Sequence, residues 1–141
     1  MTFVYHPFRA MGCQMQIITV GDGDTDAVTF AVDAASDIAV WGTPPDDDSW
    51  PIDIEPLPGY APPAMLALTP TTAIATSGRD QRQWRRANGS LAHHIIDPCT
   101  GAPSQSDVVR ASVIAPTLVA ADVTARTLVI LGHHAGLNWL A

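Results

Sequence analysis

VVRASVIAPTLVAADVTARTLVILG, residues 108–132, decides the fold. Residues 108–115 are rich in β-branched side chains and read as a strand that stops at Pro116. Thr117 then stands where a helix N-cap belongs, and Gly132 where a helix stops, so the spacing predicts a helix over 118–131. Its late Leu-Val-Ile-Leu run is too apolar for a solvated helix. Val119, Val123, Ala125, Leu128 and Val129, with parts of Ile130 and Leu131, are therefore expected to be buried. A last short helix fits residues 134–141.

Upstream, strand signals dominate. Residues 2–8 and 14–20 read as a hairpin, and 37–42 (DIAVWG) as a buried strand ended by glycine. Residues 27–35 fit a helix or a strand. Residues 50–55 alternate apolar and acidic, as a half-exposed strand does. The proline-bearing stretches 43–49 and 56–63 read as loops. Residues 65–68 and 72–76 look like a strand pair, and the polar 80–87 like a short helix or turn. Many strands with helices gathered late give an α+β class: a mainly antiparallel sheet packed against helices.

Composition narrows the function. A chain of 141 residues, 47% hydrophobic, has the size of one domain and enough apolar side chains for a core. Fourteen acids against seven bases, net −7, argue against a nucleic-acid partner, which calls for a basic face. No apolar run reaches the ~18 residues of a membrane-spanning helix. The first residues show no basic start followed by an apolar run, so no signal peptide is expected and the chain as it stands reads as cytoplasmic. Cys13 and Cys99 form no CxxC and are expected to be free thiols. There is no lysine, which excludes a Schiff base or a phosphate-loop lysine within the chain. Charge is uneven: residues 1–70 hold ten acids and one base, residues 71–141 four acids and six bases. The second half can host an anionic ligand that the net charge hides, or simply carry a solvated arginine face.

The chemistry-bearing stretch is AHHIIDPCTGAP, residues 92–103. Asp97-Pro98-Cys99-Thr100-Gly101 has the composition of a tight turn. Exposed backbone N–H groups there, the Thr100 hydroxyl and a second turn at Ser77-Gly78, with arginines near, suit a phosphate or pyrophosphate. His94, three residues before Asp97, suits proton transfer or, alternatively, only steadies the turn. A soft-metal site from His93, His94 and Cys99, with His133 and His134, has little support, because adjacent residues on a strand face opposite ways.

ATSG at 75–78, HHIIDPCTGAP, ASVIAP and AADVTARTLVILG together resemble the C-terminal half of the ApbE family of FAD:protein FMN transferases, formerly called thiamine biosynthesis lipoproteins. FRAMGC at 8–13 resembles that family's opening, and DIAVWG with WPIDIEP its next strands. The resemblance covers about residues 3–20 and 36–140, and HIIDPxTGxP is its most specific string. It implies cleavage of the FAD pyrophosphate and transfer of FMN to a threonine or serine hydroxyl of a target flavoprotein, with Mg2+ bridging phosphate oxygens. By resemblance His94 is the base, or a turn residue. Asp122 is the metal ligand, or a helix-face partner of Arg126. Met11, Gly12 and Asp37 lie near the flavin, or serve as an ordinary turn and a strand start. Ser77, Gly78, Asp97 and Thr100 belong to the nucleotide site, the hydroxyls of Ser77 and Thr100 being flavin-nucleotide contacts or plain turn groups.

The chain also departs from the family pattern. The helical stretch with a lysine-glycine motif between the opening hairpin and Asp37 is missing. Ala35 and Ser36 replace two glycines, and Arg126 stands where the family has a metal-binding threonine. These departures imply a shortened domain, 1–141, of impaired activity, or a non-catalytic flavin-nucleotide or protein-binding remnant. A partner chain or homodimer would restore what is missing.

Overall fold

The computed structural model describes residues 2–10, 13–21, 29–44, 48–57, 59 and 62–141. The chain divides into two units, 1–73 and 74–141.

The first unit opens with β1 (Thr2–Ala10) and β2 (Cys13–Gly21), antiparallel from Thr2 opposite Gly21 to Ala10 opposite Cys13. β3 (Thr29–Ala34) and β4 (Asp37–Trp41) continue the meander. The stretch that fitted either helix or strand is thus a strand. Its two-residue turn, Ala35-Ser36, holds Ala35 at φ 71°, a left-handed conformation that the sequence announces with no glycine or asparagine. DIAVWG forms the expected strand but is not buried throughout. Val40 is fully buried, while Trp41 is 48% exposed and stacks on Phe30 across the sheet at 5.3 Å. A strand in an antiparallel sheet buries alternate residues, so a short apolar run alone does not mean two covered faces.

β5 (Trp50–Ile54) pairs antiparallel with β6 (Ala64–Leu68). Trp50 is buried, and its indole N–H donates to the Gly42 carbonyl at 2.8 Å. Gly42 has φ 67°, and a Cβ there would meet Thr29 Oγ1 at 2.6 Å, so only glycine fits.

The second unit starts in β7 (Thr72–Gly78), whose sheet partner here is the late strand β12. The expected pairing of 65–68 with 72–76 is therefore wrong. Both strands exist, but each finds its partner elsewhere, which local sequence does not encode. β8 (Gln83–Arg85) and β9 (Leu91–His93) form a hairpin. This corrects the helix or turn expected at 80–87. Asn88-Gly89, with Gly89 at φ 81° and Asn88 Oδ1 accepting from the Ser90 N–H and hydroxyl, closes it. β10 (Ile96–Asp97) and β11 (Ala102–Pro103) bracket the DPCTG turn.

β12 (Arg110–Ala115) leads into α1 (Leu118–Leu131) and α2 (His133–Leu140). Thr117 Oγ1 accepts from Ala120 N at 3.2 Å, and Gly132, at φ 83°, ends α1 as expected. α1 lies on β12 and against α2. Its buried stripe is Ala121, Ala125 and Val129, with Leu128 half-buried. Val119 (74%), Val123 (53%) and Leu131 (42%) are exposed, against expectation. α1 is apolar nearly all round, so its period does not single out one face. Small alanines face the sheet because they allow close approach. The class is nevertheless the α+β one expected, largely antiparallel with the helices late.

Candidate functional site

The DPCTG turn is ordered and bonded to itself. Gly101 N donates to the Asp97 carbonyl at 2.8 Å, and Cys99 N to Asp97 Oδ1 at 2.9 Å. The Thr100 hydroxyl donates to Asp97 Oδ2 at 3.2 Å and accepts from Ala102 N. Gly101 sits at φ 65°, where glycine is favoured. These N–H groups are consumed inside the turn and are not presented to a phosphate. Asp97 and Thr100 shape the turn, and any anion beside it must find its charge in side chains.

The two histidines before the turn divide their work. His93 is buried; its Nδ1 accepts from Ile95 N at 3.3 Å, so Nε2 carries the proton and donates to the Ser104 carbonyl at 3.0 Å. Buried Ser104 donates its hydroxyl to the Val129 carbonyl at 3.1 Å and approaches that of Ile130. This chain of bonds ties the end of β9, just before His94, to α1, and nothing in sequence spacing marks Ser104 for that role. His94 faces solvent. Partial burial holds its imidazole below its ordinary pKa, with help from the positive charges of Arg82 and Arg126; a hydrogen bond to the Arg82 backbone works the other way.

Arg82 is the site residue that sequence reasoning missed. The hairpin register sets Gln83 opposite His93, which brings Arg82 up to His94. Arg82 has φ 48°, uncommon for a side chain of its size. The Asn-Gly turn was the available signal, because it fixes the register.

On α1, Asp122 Oδ1 accepts from Arg126 Nη2 at 2.8 Å, one helical turn away. The metal ligand expected at 122 is thus engaged by a cation. Among the described residues no group of three or more His, Cys, Asp or Glu side chains is placed to hold a metal ion.

The remaining expected residues fall in both units. Ser77 is buried on β7. Gly78 leaves room for the Asp80–Arg110 ion pair: a Cβ there would press on Asp80 Oδ1 and lie 3.2 Å from Arg110 Cγ. Burial opposes ionisation of Asp80, yet the Arg110 hydrogen bond and charge, with backbone N–H groups, hold its carboxyl below the usual range. Ser77 and Gly78 therefore have structural work in this unit. Asp37 opens β4 in the first unit, opposite Ala34. Met11 and Gly12 lie outside the described residues.

The model of the ApbE family matches residues 24–141. The FAD:protein FMN transferase of Treponema pallidum is 38% identical over 72 residues, 51% of this chain and 20% of that protein. That of Haemophilus influenzae is 31% identical over 115 residues, 80% of this chain and 33% of that protein. Among solved structures, the apo flavinyl transferase ApbE of Pseudomonas stutzeri is 26% identical with a TM-score of 0.62, over 79% of this chain and 34% of that one. The ApbE protein of Thermotoga maritima is 28% identical with a TM-score of 0.65, over 82% and 35%. The chain thus spans between a fifth and about a third of the length of these relatives.

Proposed function

The chain belongs to the ApbE family, and on that premise we propose that it serves the transfer of FMN from FAD to a threonine or serine hydroxyl of a target flavoprotein. The observation that carries the reading is His94, solvent-facing and kept towards its neutral form, set just ahead of the self-bonded Asp97–Gly101 turn. A neutral imidazole takes the proton of the attacking hydroxyl. The hydroxyl oxygen then bonds the FMN phosphorus, the pyrophosphate bridge breaks, and AMP leaves. Phosphoryl transfer of this kind asks mainly for positioning and charge stabilisation. Met11, Gly12 and Asp37 are proposed as flavin-side contacts, and Asp97 and Thr100 as the frame that positions His94.

The Mg2+ that the family resemblance implies does not fit the residues present. Mg2+ demands several oxygen ligands in near-octahedral order, whereas the Asp122 carboxylate is paired with the Arg126 guanidinium. Because the chain covers about a third of the solved relatives, we further propose that polypeptide outside these 141 residues, a partner chain or a second copy, completes the flavin site.

The test is mass spectrometry after incubation with FAD and a threonine-bearing acceptor peptide. Covalent FMN is expected, accumulating far more slowly than the ~1 per second of an ordinary enzyme, and His94→Gln is expected to abolish it. FAD binding with no transfer at any time would replace this reading with that of a non-catalytic flavin-nucleotide module, which the Arg126–Asp122 pair favours as second choice.

A further inference from the structure

We propose that the outer face of α1 is a dimer surface, on which α1 of a second copy of this chain packs antiparallel across a two-fold axis. The contact is independent of the flavin reading.

Helical spacing sets the face. Successive residues turn about 100° round an α-helix, so residues two apart lie nearly opposite each other. Ala121, Ala125 and Val129 are buried on one side of α1. Val119, Val123, Thr127 and Leu131 therefore form a row on the other side, four residues apart. Val119 is 74% exposed, Val123 53% and Leu131 42%. The neighbouring helix leaves this row open. α2 comes against α1 at Leu128, where a Cβ on Gly136 would lie 2.8 Å from Leu128 Cδ2. Side chains at four-residue spacing make a ridge, and two such ridges interlock at a crossing angle of about −50°, the commonest packing of helices in globular proteins.

Charge chooses the occupant and its direction. Asp122 and Arg126 form the next row, about 60° round the helix from Val119 and Val123. They pair at 2.8 Å, with the Arg126 side chain 57% and the Asp122 side chain 34% exposed. A second copy laid parallel would bring like charges together. Laid antiparallel, Asp122 faces Arg126 of the second copy and Arg126 faces its Asp122. Two separate ion pairs then become a network of four charges, the setting in which exposed pairs carry weight. Position 124 lies midway between the two charges, and position 125 midway along the apolar row. One two-fold axis thus serves both rows to within a residue. The face is complementary to itself, as an isologous contact requires.

Sedimentation equilibrium of the full chain at pH 7 tests this. A dimer is expected with a Kd on the order of 10–100 μM, the strength of a small interface. Asp122→Arg sets four cations at the contact, and Arg126→Asp four carboxylates. Each variant alone is expected to weaken the dimer at least about tenfold, because like charges meet. Mixed in equal amounts, the two variants are expected to form a heterodimer. Within each variant the helix's own ion pair stays broken, so restored association reports contact between copies and not repair of the helix. Thermal melts report whether the variants fold. Val123→Ser, which changes no charge, is expected to weaken the dimer at an unchanged melting temperature, and it carries the test if a charge variant unfolds. A parent chain that stays monomeric at about 0.5 mM overturns the proposal. So does an assembly larger than a dimer, a dimer unchanged in Asp122→Arg and Arg126→Asp or in Val123→Ser, or a mixture of the charge variants that stays monomeric.

Discussion

His94 carries its imidazole into partly desolvated surroundings beside two guanidinium groups, and both influences disfavour a second proton. Its folded pKa therefore lies below the ordinary 6.5. The ring is neutral at pH 7 and able to accept a proton. The linkage sign follows. Below pH 6.5 the unfolded chain takes up this proton more readily than the folded one, so stability falls as pH drops through that value. An NMR titration of the His94 ring checks this: a midpoint under 6.5 is expected, moving up in Arg82→Gln and in Arg126→Gln. A midpoint at or above 6.5 in the parent chain sinks the argument. Arg126 permits a second expectation. Arg126→Thr removes the cation from Asp122 and adds a hydroxyl oxygen, so FAD binding by this variant is expected to depend on Mg2+, although turnover stays low. If titration of Arg126→Thr shows no metal dependence, Asp122 is not placed to hold an ion even when unpaired.

Individual elements show what local sequence encodes and what it does not. The strand that stops at Pro116, the Thr117 cap and the Gly132 stop were legible because each acts within one or two turns of chain. The Asp97–Gly101 turn was legible for the same reason, and it holds the frame of the site. The β8–β9 hairpin was missed because the arginine run drew the reading towards a polar helix, although Asn88-Gly89 outweighs it. With it went Arg82, whose place beside His94 exists only once the register is set. Pairings such as β5 with β6 depend on strands meeting in space, which no window of sequence contains. The buried face of α1 was misread because Val119 and Val123 are as apolar as Val129. Two substitutions measure these points by denaturant unfolding. Val129→Ala removes a fully buried side chain and is expected to cost about 2 kcal/mol, whereas Val123→Ala is expected to stay within about 0.5 kcal/mol. Equal effects would mean that the helix is rotated. At the β3–β4 turn, Ala35→Gly relieves a left-handed alanine at φ 71° and is expected to add up to about 1 kcal/mol. A loss of stability there would show that the turn is not left-handed in solution.

Across the whole molecule, charge and apolar surface act against each other. Ten acids and one base fall in the first unit, four acids and six bases in the second. The second unit also exposes Val119, Val123, Leu131, Leu137, Trp139 and Leu140 on its two helices. Exposed apolar side chains in such number favour association, which a net charge of −7 at pH 7 resists by mutual repulsion. That repulsion vanishes near the isoelectric point, about 4.8. Self-association followed by light scattering is therefore expected to be weakest above pH 7 and to rise steeply towards pH 4.8. The pH effect alone would not show which surface is responsible. Replacing Val119 and Val123 together with serine separates charge from surface, because it leaves every ionisable group in place. The double variant is expected to scatter less than the parent at pH 4.8 while keeping its unfolding midpoint, since neither side chain is buried. Equal scattering by parent and variant would move the association away from α1, to apolar side chains exposed in the first unit such as Val4, Tyr5 and Phe8.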